Sequence, residues 1–193
     1  MIGDRIYKTF FNGKTNGVFI ECGAIDGVKN SICKVLQEKY KWVRYNFEPN
    51  PYSFKKLTQN RYLDININAA LSNEDSEMSF YIPKSKNGRV NGGGSLVEGR
   101  RNDIVETVEV RTMTYKTFIK ENQPKTIDLM VLDVEGYEMS VLEGFKGVVT
   151  LPKYLMVEVN KINVKELEDL LTEIGYIKTN FRIDNNNNLY TLK

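Results

Sequence analysis

Four acidic residues each stand at the end of a short apolar run, and they are the side chains best placed to do chemistry. These acids are Glu21, Glu48, Asp133 and Glu158. The carboxyl ends of parallel strands meet at one edge of a sheet, so we expect the four carboxylates to surround one site. The chain has no histidine, which excludes serine–histidine hydrolysis and histidine-based zinc chemistry. If a side chain transfers a proton in this protein, it must therefore be a carboxylate or a lysine.

The stretch at residues 17–27, which reads GVFIECGAIDG, has the form of a strand followed by a tight turn. Its glycines permit the turn, and Asn30 or Ser31 can cap the helix that follows. A turn of this kind presents backbone N–H groups to a nucleotide-like ligand. Phosphate-binding turns avoid a carboxylate at the strand end. Glu21 therefore favours a cofactor with a cationic centre, such as S-adenosylmethionine.

Glu48 follows the second predicted strand, one strand–helix–strand step after the glycine turn. An acid at this position suits two vicinal ribose hydroxyls. The alternative is a solvated acid that precedes the turn at Pro49. The strand context favours the ribose interpretation.

The segment LDVEGYE carries Asp133, Glu135 and Glu138 directly after a strongly apolar run. These acids could simply favour the start of a helix. If the reaction is methyl transfer to a hydroxyl, Asp133 or Glu135 could accept the proton that leaves. Both acids, with Glu158 nearby, could also hold Mg²⁺ through oxygen ligands. Nothing in their spacing requires a metal, so we expect none.

Residues 84–103 are rich in glycine, serine, asparagine and arginine, and include the run Gly92-Gly93-Gly94-Ser95. A loop of this length in a small domain is usually functional or mobile. It is expected to be a flexible loop over the site, where Arg89, Arg100 and Arg101 could bind an acceptor. A disordered surface excursion is the alternative.

Strands and helices alternate along the chain, which predicts an α/β fold with a mostly parallel sheet and helices on both faces. An antiparallel strand is expected at one edge, because the chain closes with a hairpin. The predicted core strands are 17–22, 43–47, 65–71, 127–132 and 154–159, the hairpin strands are 176–181 and 188–192, and a further pair is 78–82 with 104–110. The predicted helices are 31–40, 53–60, 114–121, 139–145 and 164–174.

The composition is that of an ordinary soluble domain. The chain has 193 residues and a formal net charge of +2, and it contains two cysteines. We expect a single domain over residues 1–193, with an N-terminal arm or helix at 1–16. No apolar run approaches the roughly 18–20 residues that cross a bilayer, and no secretory signal is present, so a cytoplasmic location is expected. Two cysteines make no disulfide framework. The sequence leaves open whether the protein forms a homodimer.

Several motifs, in order over residues 17–160, resemble the FkbM-type methyltransferase family. They are FIECGAIDG at 19–27, FEPNP at 47–51, NAALS at 68–72, GGSL at 93–96, LDVEGYE at 132–138, VLEG at 141–144 and VEV at 157–159. Each motif alone has low specificity, whereas the ordered set is specific. Two positions depart from the family pattern. Glu21 stands where the family usually has Asp, and Ile25 stands where it often has Asn.

The resemblance implies a Rossmann-like class I methyltransferase fold and S-adenosylmethionine as methyl donor. Glu48 would hold the ribose, residues 68–70 would surround the adenine, and Asp133 and Glu135 would line the reaction centre as catalytic residues. The full set expected to bind the donor is Glu21, Gly23, Ala24, Asp26, Gly27, Ser31, Glu48, Pro49, Asn50, Asn68, Ala69, Ala70 and Asp133.

The family usually methylates a hydroxyl, so the resemblance implies O-methylation of a sugar, glycan or related small molecule. The residues expected to bind this acceptor are Ser95, Arg100, Glu158 and Asn160. Methylation of an RNA ribose or cap at the 2'-oxygen is one alternative, since the arginines of residues 84–103 could bind phosphate. A non-catalytic module that binds S-adenosylmethionine is another.

Overall fold

A seven-stranded sheet runs through the computed structural model, which describes residues 1–84, 93–160 and 162–193. The strands are β1 Val18–Cys22, β2 Val43–Phe47, β3 Ile65–Ile67, β4 Ala70–Ser72, β5 Glu77–Pro83, β6 Ile104–Thr114, β7 Leu129–Leu132, β8 Tyr154–Glu158, β9 Tyr176–Lys178 and β10 Asn187–Leu192. The helices are α1 Ile2–Phe10, α2 Lys34–Tyr40, α3 Pro51–Asn60, α4 Tyr115–Asn122, α5 Glu138–Glu143 and α6 Val164–Ile174.

The strand order of the large sheet is β3-β2-β1-β7-β8-β10-β9. The five strands β3, β2, β1, β7 and β8 are parallel to one another, and β10 is antiparallel to both of its neighbours. This confirms the predicted α/β fold with a mostly parallel sheet and an antiparallel strand at one side. Because the parallel strands share one direction, the ends of β1, β2, β7 and β8 lie along the same edge.

Apolar side chains cover both faces of this sheet. Within β1, Phe19 faces one apolar layer, whereas Ile20 and Cys22 face the other. Helices α1 and α2 pack on the Phe19 side, and α4, α5 and α6 pack on the opposite side. Cys33 belongs to the Phe19 layer, so the two buried thiols, Cys22 and Cys33, lie on opposite sides of the sheet and are free.

The predicted third strand, 65–71, is wrong as a single element. Its first part, β3, pairs with β2, and its last part, β4, pairs with β6 in a separate three-stranded sheet. Asn68 lies between them, and its side-chain amide donates to the backbone oxygens of Glu48 (2.8 Å) and Pro49 (3.2 Å). The amide therefore holds the chain at the end of β2, where it leaves one sheet for the other. The predicted pairing of 78–82 with 104–110 is present as β5 and β6.

Two helices begin at residues other than those predicted, because hydrogen bonds to side chains that precede these helices determine where they start. Helix α3 begins at Pro51 rather than 53, because the Asn50 side chain accepts from the backbone N–H groups of Tyr52 and Ser53. Helix α2 begins at Lys34 rather than 31, since the backbone N–H groups of residues 32 and 33 donate instead to the carboxylate of Glu21. In the part of the chain that the structure describes, no helix is both long and apolar enough to cross a bilayer.

Gly23, the first residue after β1, lies directly against the end of β7. A Cβ atom built at Gly23 would lie 2.0 Å from the backbone oxygen of Asp133, and the φ of Gly23 is +78°. The N–H groups of Gly23 and Ala24 both donate to the backbone oxygen of Phe47, each at 3.1 Å. Glycine is therefore required here for its conformation and for its size.

We expect Gly23→Ala to destabilise the protein by about 1–3 kcal/mol beyond the cost of a left-handed alanine, because it adds an atom where there is no space. Gly13→Ala is the matched control, since Gly13 has a φ of +82° and no heavy atom within 4 Å of an added Cβ. The measurement is urea unfolding of both variants. Equal losses in the two variants would contradict the steric argument.

Candidate functional site

A cavity of about 180 Å³ opens at the carboxyl ends of β1, β2 and β7. The loop that follows β1 forms one side, and residues of β4, β5 and the segment before β6 form the other. The structure brings together much of the predicted site along this wall: Glu21, Gly23, Ala24, Ser31, Glu48, Pro49, Ala69, Ala70, Asp133 and Glu135.

Glu21 lies at the base of the cavity and is almost completely buried. Its carboxylate accepts from the hydroxyl of Ser31 (2.7 Å) and from the backbone N–H groups of Ile32 (2.9 Å) and Cys33 (3.2 Å). Burial raises the pKa of Glu21, while these donors oppose the rise. The carboxylate of Glu21, at the end of β1, thus binds the far end of the loop that leads to α2.

Glu48 supports the same loop from the neighbouring strand. One carboxylate oxygen accepts from the backbone N–H of Ile25 (2.7 Å), and the other accepts from that of Asn50 (2.8 Å). Each oxygen therefore has a further lone pair that a ligand hydroxyl can use. Burial raises the pKa of Glu48 to about 8, even though the two N–H groups favour the charged form.

Asp133 lies at the end of β7 and is exposed to the cavity. Desolvation of its carboxyl by the surrounding atoms, followed by the charges of Glu135 and Glu138, raises the pKa of Asp133 to about 6. Glu138 is fully buried and accepts from the backbone N–H groups of Val134 (3.0 Å) and Gly136 (3.0 Å). The three acids of LDVEGYE therefore differ, because Glu138 shapes the turn while Asp133 and Glu135 face the cavity.

Arg100 lies beside the acids, at the outer side of the same edge. Its guanidinium is 3.9 Å from a carboxylate oxygen of Glu135, 3.7 Å from Oε2 of Glu158, and donates to the backbone oxygen of Asn160 at 3.2 Å. Oε2 of Glu158 is buried and has no hydrogen-bond partner among the described residues. Burial, and then the charge of Asp133, raises the pKa of Glu158 to about 8.

Ser95 joins the segment before β6 to the acid-bearing turn. Its hydroxyl donates to the backbone oxygen of Glu135 (2.8 Å), and its backbone pairs with Tyr81 of β5. Gly93, Gly94 and Leu96 line the cavity on either side of it. Part of the predicted loop over residues 84–103 therefore does form a wall of the cavity. Arg89 and Gly92, which were predicted for this loop, lie outside the described residues.

Several predicted site residues do not line the cavity, and their contacts are internal. Asp26 accepts from the backbone N–H groups of Val28 and Lys29 in its own turn. Gly27 packs beneath a side chain of α3. A direct role for either in binding stays a prediction, as it does for the other predicted residues outside the cavity wall: Asn50, Asn68, Ser95, Arg100, Glu158 and Asn160.

Sequence reasoning missed the apolar part of the wall. Phe80 of β5 and Leu96 face the cavity and belong to a small apolar cluster with Ala70. A Cβ at Gly94 would lie 2.3 Å from the ring of Phe80, so the glycine lets the chain pass close to this ring. The GGSL motif contains Leu96 and could have indicated it. The alternating pattern of β5 could not show which face of the strand meets the cavity.

The titratable side chains of the cavity wall are mostly acidic. Among the described residues that line it, Lys29 is the single basic one, against the four acids Glu21, Glu48, Asp133 and Glu135. Within the described ranges, no three acids or cysteines come close enough together to hold a metal ion. The excess of acidic over basic groups on the wall suits a ligand with a positive centre better than an anion.

Ile25 has a backbone conformation that is unusual for its side chain. Its φ is +53°, in the left-handed region, which a β-branched residue rarely adopts. The hydrogen bond from its N–H to Glu48 holds it there, and the residue lines the cavity. This is the position at which the sequence departs from the asparagine of the FkbM pattern, and asparagine tolerates the left-handed region better.

Comparison of the sequence with known families gives a match to the methyltransferase FkbM domain over residues 21–178. The hexuronic acid methyltransferase AglP of Haloferax volcanii is 26% identical over 137 residues, which are 67% of this chain and 52% of AglP. The chain therefore spans about half the length of this curated relative.

Solved structures share the fold. A methyltransferase FkbM from Methylobacillus flagellatus KT superposes with a TM-score of 0.57 and 15% identity, over 94% of this chain and 46% of that one. TrmK from M. capricolum, in complex with S-adenosylhomocysteine, gives a TM-score of 0.51 and 11% identity, over 98% of this chain and 65% of that one. At these identities, the likeness concerns the fold alone.

We expect Ile25→Asn to increase the free energy of unfolding by about 1 kcal/mol, because asparagine relieves the left-handed strain that isoleucine bears. Ile25→Val is the control, since it keeps the β-branch and should bring no gain. Both are measured by chemical denaturation. If Ile25→Asn is no more stable than Ile25→Val, the backbone at this position is not strained.

Proposed function

The chain belongs to the FkbM methyltransferase family, and from this premise we propose that it is an S-adenosylmethionine-dependent O-methyltransferase acting on a hydroxyl of a sugar or glycan. The observation that carries the proposal is the acid-lined cavity at the carboxyl ends of β1, β2 and β7. The name of the curated relative, a hexuronic acid methyltransferase, supports a sugar as the acceptor.

The residues of the cavity fit this cofactor. When bound, S-adenosylmethionine supplies an electrophilic methyl group on a positively charged sulfur. Glu48 would hold the ribose hydroxyls, because each of its oxygens uses one backbone N–H and keeps a lone pair. Ala69, Ala70 and the ring of Phe80 offer apolar surface for the base. The excess of carboxylates suits a positive centre.

Asp133 is the residue best placed to take the proton from the acceptor. It faces the cavity, and its pKa of about 6 lets it be ionised at neutral pH while remaining a better base than an ordinary aspartate. A base works best when its pKa lies near the working pH. Glu135 borders the same space and adds to the negative field that raises the pKa of Asp133.

The outer acids support a hydroxyl as the accepting group. A hexuronic acid offers both hydroxyls and a carboxylate, and its carboxylate would meet the acids Asp133, Glu135 and Glu158, of which the last two lie beside Arg100. Arg100 has further N–H groups for a sugar oxygen.

The same acidic side chains disfavour RNA as the acceptor. Binding of an RNA backbone requires basic side chains along a groove. Among the described residues near the site, Arg100 lies between two acids and Lys29 is the single base on the cavity wall. A neutral sugar is therefore favoured over RNA. The non-catalytic alternative is disfavoured because an acid with a raised pKa stands where a base is needed.

The proposal is tested by incubating the protein with S-adenosylmethionine labelled in the methyl group and three acceptor pools: neutral glycans, uronic-acid glycans and RNA. We expect alkali-stable label in the glycan pools, because a methyl ether resists mild alkali whereas a methyl ester is cleaved. Alkali-labile label in the uronic-acid pool would show carboxylate methylation. Label in RNA alone would overturn the sugar proposal, and binding of S-adenosylhomocysteine without transfer to any pool would support a binding module.

We expect Asp133→Asn to lower kcat by about 10²–10⁴-fold, because it removes the proton acceptor. In the unchanged protein, kcat/KM should rise with pH up to about 6 and then level off, since the base is active when deprotonated. The variant should lose this rise. Calorimetry with S-adenosylhomocysteine is the control, and a loss of affinity that equals the loss of rate would make Asp133 a binding residue.

A further inference from the structure

Two side chains at the end of helix α3 form hydrogen bonds to the glycine loop, which we define as residues 23–33 between β1 and α2. The side-chain amide of Asn60 donates to the backbone oxygen of Asp26 at 2.8 Å. The next residue, Arg61, donates from its guanidinium to the backbone oxygen of Gly27 at 3.0 Å. Two adjacent carbonyl groups of the loop are thus held by two adjacent side chains.

Arg61 is an unusual residue to find in this place, because its side chain is only 2% exposed. Its Nε atom is 2.7 Å from a carboxylate oxygen of Asp64, whose side chain is fully buried. One further guanidinium nitrogen, Nη2, has no hydrogen-bond partner among the described residues. Burying a charge at such a cost adds little net stability when compared with apolar packing. Net stability therefore does not explain why an arginine is buried at position 61.

The glycine at position 27 is explained by the same side chain. A Cβ built there would lie 2.5 Å from Cγ of Arg61 and 2.6 Å from Cδ1 of Leu57, and the φ of Gly27 is +71°. Gly27 therefore lets the loop lie directly on the arginine. This contact accounts for the glycine without any approach of a ligand to it.

Arg61 also affects the far end of the loop through its charge. The positive charge lowers the pKa of Glu21, which burial otherwise raises, and so favours the carboxylate. That carboxylate holds Ser31, Ile32 and Cys33. One buried guanidinium thus bonds to the middle of the loop and stabilises the charge that anchors its end.

We propose that Arg61 is a positioning residue for the methyl donor: from outside the cavity, it holds the glycine loop in the shape that binds the cofactor. The inference rests on the proposed function, because the cavity wall includes residues 23–25 and 29–32 of this loop. Arg61 itself is not part of that wall.

Arg44 provides a matched control. Its Nε atom is 2.7 Å from the other carboxylate oxygen of Asp64, and it donates to the backbone oxygen of Leu63 at 2.9 Å. No hydrogen bond to the glycine loop is formed by Arg44 within the described residues. Arg44→Met and Arg61→Met therefore each remove an arginine from the same buried acid, but only the second releases the loop.

The test compares these variants by calorimetry with S-adenosylhomocysteine and by amide hydrogen exchange of the glycine loop in the ligand-free protein. Arg61→Met should raise Kd by about tenfold, the loss expected for one hydrogen bond from a charged group, and should speed exchange in the loop. Arg44→Met should lower Tm while leaving Kd within about twofold and loop exchange unchanged. Arg61→Lys keeps the charge but cannot contact Gly27 and Asp64 together, so it should fall between the two.

The inference is overturned if Arg61→Met leaves both Kd and loop exchange unchanged, or if Arg44→Met changes them as much. Should Arg61→Met fail to fold, Arg61→Lys decides by the same two measurements, and values equal to those of the unchanged protein would overturn the inference. If the unchanged protein does not bind S-adenosylhomocysteine, the proposed function fails. The exchange measurements then still test whether Arg61 holds the loop.

Discussion

The close approach of Gly23 to the backbone oxygen of Asp133 is the constraint on which the site depends. It brings the ends of β1 and β7 together, at a distance that any side chain on residue 23 would prevent. The N–H groups of Gly23 and Ala24 then bind the end of β2 through Phe47. Three strand ends are thereby held around one cavity, and the acids Glu21, Glu48 and Asp133 at these ends all line it.

Three buried carboxylates organise the loops around the cavity. Glu21, Glu48 and Glu138 each accept from backbone N–H groups of the loops that surround the cavity. Burial raises the pKa of all three, so their charges cost free energy that a surface acid would not. That cost is consistent with a site that is organised before a ligand arrives, since few of these loops need to rearrange.

Negative charge concentrates towards the side where the acceptor is proposed to bind. Burial and the charge of Glu135 raise the pKa of Asp133, burial and the charges of Asp133 and Glu135 raise the pKa of Glu158, and the charge of Arg100 opposes both shifts. Such a group can hold a proton at neutral pH while keeping one carboxylate free to accept another. This distribution suits removal of a proton from a neutral hydroxyl better than recognition of an anion.

Local patterns in the sequence suffice to predict the alternating elements, the acids at the strand ends and the glycine turn. Strand 43–47 and helix 164–174 were predicted with their observed bounds, since apolar spacing and a capping glycine define them. The folded protein was needed to show that residues 65–71 divide between two sheets, that Phe80 reaches the cavity and that Arg61 donates a hydrogen bond to the glycine loop. These features depend on contacts between residues far apart in the chain, which no local pattern records.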